Sequence, residues 1–591
     1  MPIGFTRARL TQRVWGNKPR RYGVYLSMRE WLRRTHGPFF ELLRHFVPRF
    51  FESDLITAPG QMTGPLIGIF SLMLPWFNMF IGMLRQKYAH FGGLAKPGPF
   101  RHVVRADELW LVTLMMSAVG LLTAVKWDSV FPSLRDYRTL GTLPLRPWHI
   151  FAAKLVALLA VATAAVVTLN LLPSVGFPAV SGTRWQFGHG IGVRVMAHVV
   201  ACVSGCYFFF FGLVALQGVL LNVLRPRAFG QVAGYVQGLL VALMLILIVL
   251  SFSVDAQVAD TVLQPAWARW LPPVWFLGLY QAELGDPEPA MLWLAHRAWL
   301  ALGIAIAAAL ATYAVSYQRH RELLVEGLTR PSRDRRWSGA LLRLLVPDPR
   351  QQAVTVFMVK TLARSSHHRM ILIGYCGFGF AILMSGIVGV RSAVTPDRAA
   401  AATFVYAHVV FLAFLLIGLR HLFGIPAELK ANWMFQLTER EGRGDWLRAV
   451  DRLVLMNGVT VMLLAPFPLE LHLLGWHAVL EVLLFGGFGL LCYEWTFSSW
   501  EKLPFTCSQL PGKTPMWIRF LQFLGLLFVI QLVTFILLSG VYYPAVFLVA
   551  MTVQLAVWKR IHISREEGWG EQRLKYDETP DEAIHALNLH V

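Results

Sequence analysis

The chemistry this sequence can carry lies in a few ionisable side chains set inside long apolar runs. His408 stands within 401–424. Glu470 and His472 close 452–474, Glu481 and Glu494 lie in 478–497, and Arg194 and His198 open 194–223. A titratable group in hydrocarbon costs free energy, so such residues are read first as proton relays or as the lining of a pathway. His408 and Glu470 sit deepest and are the candidate pathway residues. The others fall within a turn or two of a run's end, where reaching back to water accounts for them.

Other reactive-looking motifs carry less. His367 and His368 precede Arg369, but adjacent histidines point to different faces of a helix, and a basic interface cluster is the expectation. Cys202 and Cys206 have helical spacing without His or carboxylate neighbours, and read as small buried side chains. "LPGKT" (510–514) ends like a phosphate-binding loop, yet Cys507 stands where that loop needs glycine. No Ser-His-Asp set or carboxylate pair suggests bond chemistry. The expectation is a chain with no catalytic residue and no metal site.

Two charged segments interrupt the apolar pattern. In "WDSVFPSLRDYRTLGTLPLRPWHIFAAK" (127–154), Ser133 and Asp136 have capping-box spacing, so a short helix starts at Leu134. Leu134, Tyr137 and Leu140 share one side of it, leaving Arg135, Asp136 and Arg138 outward. Gly141 can close it, and Pro144 and Pro147 keep it from running into the next apolar stretch. The second, 425–451, is apolar at Trp433, Met434, Phe435 and Leu437. It is charged at Glu439, Arg440, Glu441 and Arg443, and Asp445 is placed to cap the helix that follows.

The elements that position these groups follow from composition. The chain has 591 residues, 56% of them hydrophobic and 15% charged, with mean hydropathy +0.52; that much apolar surface is placed in lipid. The net charge of +20 is concentrated in the first 50 positions and between Arg319 and Arg369. That placement marks cytoplasmic flanks facing anionic lipid rather than a nucleic-acid surface. No signal peptide is expected, because the first long apolar run begins near Met62.

Twelve runs are long enough to span: 62–84, 107–126, 149–172, 194–223, 229–252, 291–317, 370–391, 401–424, 452–474, 478–497, 518–539 and 541–558. With the N-terminus inside, the C-terminus returns inside, the basic 318–369 loop is cytoplasmic and the acidic 253–290 loop is external. The loop 85–106 runs against this bias, since Arg85, Lys87, Lys96, Arg101 and Arg105 then lie outside. The expected fold is an all-α, polytopic membrane bundle of about twelve spans in two parallel six-span halves. Its parts are a basic N-terminus (1–60) with an amphipathic interfacial helix near Phe39–Phe46, a first half (61–317), a linker (318–369), a second half (370–558) and a cytoplasmic tail (559–591).

The 127–154 segment resembles the stretch after the second span of ABC-2-type transporter permeases, the membrane subunits of many bacterial exporters. A charged "R-D" helix, an "L-P" corner and a lysine opening the third span recur there. The resemblance covers about 30 residues and the six-span layout. It implies a coupling helix touching a nucleotide-binding subunit, with Arg135, Asp136, Tyr137, Arg138, Leu143, Pro144, Arg146 and Lys154 as docking and corner positions. The chain departs from the family's common form in carrying twelve runs rather than six, and its second half lacks the "L-P" corner.

The expected function is therefore the permease subunit of an ATP-driven export system in a bacterial cytoplasmic membrane. It would hold no cofactor of its own, ATP being bound by a separate ABC ATPase. Docking would be through 127–148 and through 425–451, with Glu439, Arg440, Glu441, Arg443 and Asp445 as the second contact. The expected partners are that ATPase and membrane lipid, not nucleic acid. The alternatives are a proton-coupled secondary transporter using His408, Glu470 or Glu494, and a membrane-embedded enzyme acting on lipid-linked substrates.

Overall fold

Apolar runs of this length satisfy their backbone polar groups internally only as helices, and every described element is helical. A computed structural model describes residues 39–47, 79–90, 97–131, 140, 147–181, 190–252, 266–285, 288–325, 348–392, 398–427, 435, 444–498, 500, 502–506 and 516–567. Among them, nine helices are long and apolar enough to cross a membrane. Large apolar side chains such as Leu239, Trp495 and Phe535 are about 70% exposed, as a lipid-facing surface requires.

The chain divides into two compact units, one of Met1–Ile56 with Ser129–Val161, the other of Thr57–Asp128 with Ala162–Val591. In the smaller unit, helix α1 (39–47) buries Leu42 and Phe46 while Glu41, Arg44 and His45 stay exposed, the amphipathic division the spacing predicts. Helix α4 (Pro147–Ser181) begins here. It buries Ile150, Phe151, Ala153 and Lys154, and the Lys154 ammonium lies 4.7 Å from the centre of the Phe46 ring.

The larger unit holds α2 (79–90), α3 (Pro97–Val125), α5 (Ile191–Val223), α6 (Pro226–Ser251), α7 (Pro272–Glu283) and α8 (Pro289–Val325). α3 packs on α5, α6 and α7, and α8 packs on α5 and α7. Then follow α9 (Pro349–Arg364), α10 (Ser366–Ser392), α11 (Arg398–Phe423), α12 (Gly444–Val454), α13 (Thr460–Leu464), α14 (Phe467–Leu474), α15 (His477–Phe497), α16 (Met516–Tyr542) and α17 (Pro544–Glu567). Prolines begin many of these helices, where the missing N–H costs nothing. The expected breaks at "NVLRPRAFG" and "SGVYYP" fall at Arg225–Pro226 and Tyr543–Pro544.

Lipid supplies little hydrophobic drive between helices, so close packing rests on small residues. α10 meets α11 through Gly379 and Gly386. A Cβ at Gly379 would overlap the Phe411 ring, and one at Gly386 would come within 2.9 Å of the Ala407 Cβ. These contacts flank His408 and fix its helix.

The run expected as one span, 452–474, is not one helix. After α12 the backbone widens into a π segment at Leu455–Val459, where the Thr460 hydroxyl donates to the Leu455 carbonyl at 2.9 Å. α13 stops at Leu464 because Pro466 offers no N–H. α14 is a separate eight-residue helix, closed by Gly475 at φ +60°, ψ −139°, a region open essentially to glycine alone. The last helix also differs from expectation: α17 continues past Trp558 to Glu567, nine residues into the stretch read as a tail. The expected first span, 62–84, lies mostly outside the described residues, α2 covering its end.

Candidate functional site

The broken stretch carries Glu470 into the bundle against His408. Glu470 sits in the first turn of α14, and its backbone N–H reaches the Pro466 carbonyl at 3.1 Å. The tight turn at Gly475 reverses the chain, so that Glu481, in the second turn of α15, comes back to the same place. His408 projects from α11. All three are buried, with 2%, 0% and 1% exposure for His408, Glu470 and Glu481. One ligand atom from each lies within 4.8 Å of the others.

The orientation of the imidazole is fixed from behind. His408 Nε2 is 2.7 Å from the Met462 carbonyl oxygen, which can only accept, so Nε2 carries the hydrogen. In the neutral ring Nδ1 then presents a lone pair. It faces Glu470 Oε1 at 2.7 Å. The pair stands at ion-pair distance but outside hydrogen-bond geometry, and neither carboxylate oxygen of Glu470 or Glu481 has a hydrogen-bond donor. Among the described residues no lysine or arginine pairs with either carboxylate. Two acceptors at 2.7 Å repel unless a proton or a cation stands between them.

A second buried cluster is built differently. Arg565 of α17 pairs with Asp451 of α12 and, at 2.6 Å, with Glu494 of α15. Glu494 also meets His562 Nδ1 at 2.8 Å, and the Tyr493 hydroxyl donates to Asp451. Its carboxylates are thus answered by a guanidinium, which makes it a clamp joining three helices. Sequence reading missed it because Arg565 and His562 sit in a charged stretch whose hydropathy ends the span. In the first half, Asp107 binds Lys87 at 2.7 Å and the Tyr88 hydroxyl at 2.6 Å, while buried Glu108 accepts from Gln281. His198 rests between Phe177 and Tyr280, with Cys202 Sγ 3.6 Å from its Nε2, a packed core position.

The first charged segment lies largely outside the described residues. That holds for Arg135, Asp136, Tyr137, Arg138, Leu143, Pro144 and Arg146, while Leu140 is buried. Its start is tied down in the larger unit. The Ala124 carbonyl accepts from Gln237 at 3.0 Å, the Trp127 carbonyl accepts from Gln217 at 2.9 Å, and the Trp127 ring is buried. Partial burial holds the Lys126 ammonium below its ordinary range. The far end, in the smaller unit, is Lys154 on Phe46.

Of the second segment, Glu439, Arg440, Glu441 and Arg443 lie outside the described residues. Asp445 falls inside the first turn of α12, which begins one residue earlier at Gly444. Phe435 packs against Phe357 of α9 and Trp446 of α12, with ring centres 4.9 and 6.2 Å away. His368, near the α9–α10 junction, is held by Ser365 at 2.6 Å and the Ile425 carbonyl at 3.1 Å, which accounts for it without a metal. Compared with protein-family models, curated proteins and solved structures, the chain matches none.

Proposed function

We propose that this chain is the membrane permease subunit of an ATP-driven, ABC-type export system, with no ATPase domain of its own. The observation that carries the reading is the anchored entry of the charged segment 127–154. It is bound into the larger unit through the Ala124 and Trp127 carbonyls. A charged element on such a footing can pass a partner's movement into the spans, which a slack loop would absorb. The broken helix α12–α14 also suits a transporter, because interrupted spans are where such proteins build sites.

The finer layout belongs to this proposal: twelve spans as six plus six, a bacterial cytoplasmic membrane and both termini inside. Arg105 pairs with Glu288 at 2.9 Å, which supports the basic 85–106 loop and the acidic 253–290 loop sharing the external side. The pairings of Lys87 and Arg105 also take two charges out of the bias that runs against this orientation.

A photo-crosslinking residue placed at position 136 tests the reading in native membranes. It is expected to capture an ATPase subunit, and the same probe at position 288 is expected not to. Capture of no ATPase at 136 would count against the proposal. A second reading, proton-driven secondary transport, draws its support from the buried His408–Glu470–Glu481 cluster; it predicts activity that tracks the proton gradient without ATP.

A further inference from the structure

We propose that His408, Glu470 and Glu481 form the ligand set for one divalent transition-metal ion of the zinc type. Three observations converge. The donors are one imidazole nitrogen and two carboxylates, all of them zinc ligands and three in number as in open zinc sites, and the imidazole favours such ions over magnesium or calcium. The His408 ring is held by its other nitrogen on the Met462 carbonyl at 2.7 Å, the outer-shell arrangement that fixes a metal-binding imidazole with its lone pair inward. Both carboxylates are buried, and among the described residues neither has a hydrogen-bond donor or a cationic side chain, which would be costly without a positive ion.

Charge decides between this cluster and its neighbour. At Asp451, Glu494 and Arg565 the protein supplies its own cation. At Glu470 and Glu481 no described residue does so, and a divalent ion balances two carboxylates while giving the inward lone pairs a partner. The dimensions agree. Zinc bonds near 2.1 Å in a tetrahedron set neighbouring donors about 3.4 Å apart. The His408–Glu470 separation of 2.7 Å is somewhat shorter than that value, and all three donors lie within 4.8 Å of one another, a span one ion can bridge once the pair opens slightly.

The ion would add a link between α14, whose Leu469 already packs against Leu383, Phe404 and Phe411, and both α11 and α15. Glu481 is the fifth residue of its span and His408 the sixth of its own, so the site lies one to two turns below one membrane face. In the orientation proposed above that face is external. The site does not rest on coupling to ATP, and either proposal can fail alone.

The test uses full-length, tag-free protein purified without chelator and dialysed against metal-free buffer. Metal content by mass spectrometry is expected to give one zinc per chain. His408→Gln and Glu481→Gln are expected to bind added Zn²⁺ more than about 100-fold more weakly, beyond the loss typical of outer-shell changes. Added Zn²⁺ should raise the thermal midpoint of the wild type and leave those variants unmoved. Should the variants not fold, the Co²⁺-loaded wild type decides: a spectrum of tetrahedral nitrogen and oxygen ligation supports the site, and thiolate charge-transfer bands overturn it. No stoichiometric transition metal and no response to Zn²⁺ in the wild type would overturn it too, leaving a shared proton. Equal zinc in wild type and variants would also overturn it.

Discussion

His408 Nδ1 faces Glu470 Oε1 at 2.7 Å with almost no water-accessible surface on either residue. Removing the imidazole leaves two carboxylates opposed in the bundle. Because the proton or cation held between His408 and Glu470 would be lost with the ring, His408→Leu is expected to lower stability by about 3–5 kcal/mol, the usual cost of leaving a buried charge without its partner. Adding Glu470→Leu should recover part of that loss. Thermal unfolding in detergent measures both, and a His408→Leu midpoint equal to wild type would contradict the pairing.

Arg565 serves two carboxylates at once, so its loss should be felt at both. Arg565→Leu is expected to cost about 3–5 kcal/mol, whereas His562→Gln, at the half-exposed edge of the cluster, should cost under about 1 kcal/mol. A double-mutant cycle with Glu494→Gln checks the coupling. If the two effects simply add, the clamp is absent.

Gly475 turns the chain between the two carboxylates with a backbone that side chains resist. Gly475→Ala should destabilise the protein by about 1–3 kcal/mol through strain alone, since a Cβ there meets nothing within 4 Å. Gly486→Ala, in mid-helix against Leu463, is the control and should stay near wild type. Unfolding midpoints of the two variants separate backbone strain from crowding.

Orientation is open to chemical labelling. In a cysteine-free background, a cysteine at Glu288 should react with a membrane-impermeant maleimide from outside intact cells. One at Arg364 should react only after permeabilisation. The reverse pattern would invert the proposed topology.

Much of this was legible in the sequence, for identifiable reasons. Proline lacks an N–H, so the breaks at Pro226 and Pro544 announce themselves. His408 and Glu470 stand out because charge in an apolar run is rare. Their meeting is not legible, since hydropathy averaged across Pro466, Pro468 and Gly475 makes one span of three helical pieces. Glu481 reads as a helix-end residue reaching for water until the Gly475 turn brings it against Glu470. Arg565 and His562 were hidden by the charge around them, which ends the apolar signal while the helix continues. Lys154 opens the expected third span, but nothing local says that it will lie on Phe46.

The measurement that tests the central claim most directly is affinity purification of the chain from its native membrane in mild detergent. The partners would be identified by mass spectrometry, beside a variant carrying Arg135→Ala, Asp136→Ala and Arg138→Ala. An ATPase subunit that accompanies the native chain and is lost from the variant is the predicted result. Absence of any ATPase, under conditions that keep other transporter complexes intact, would contradict the permease reading and favour transport driven by the proton gradient.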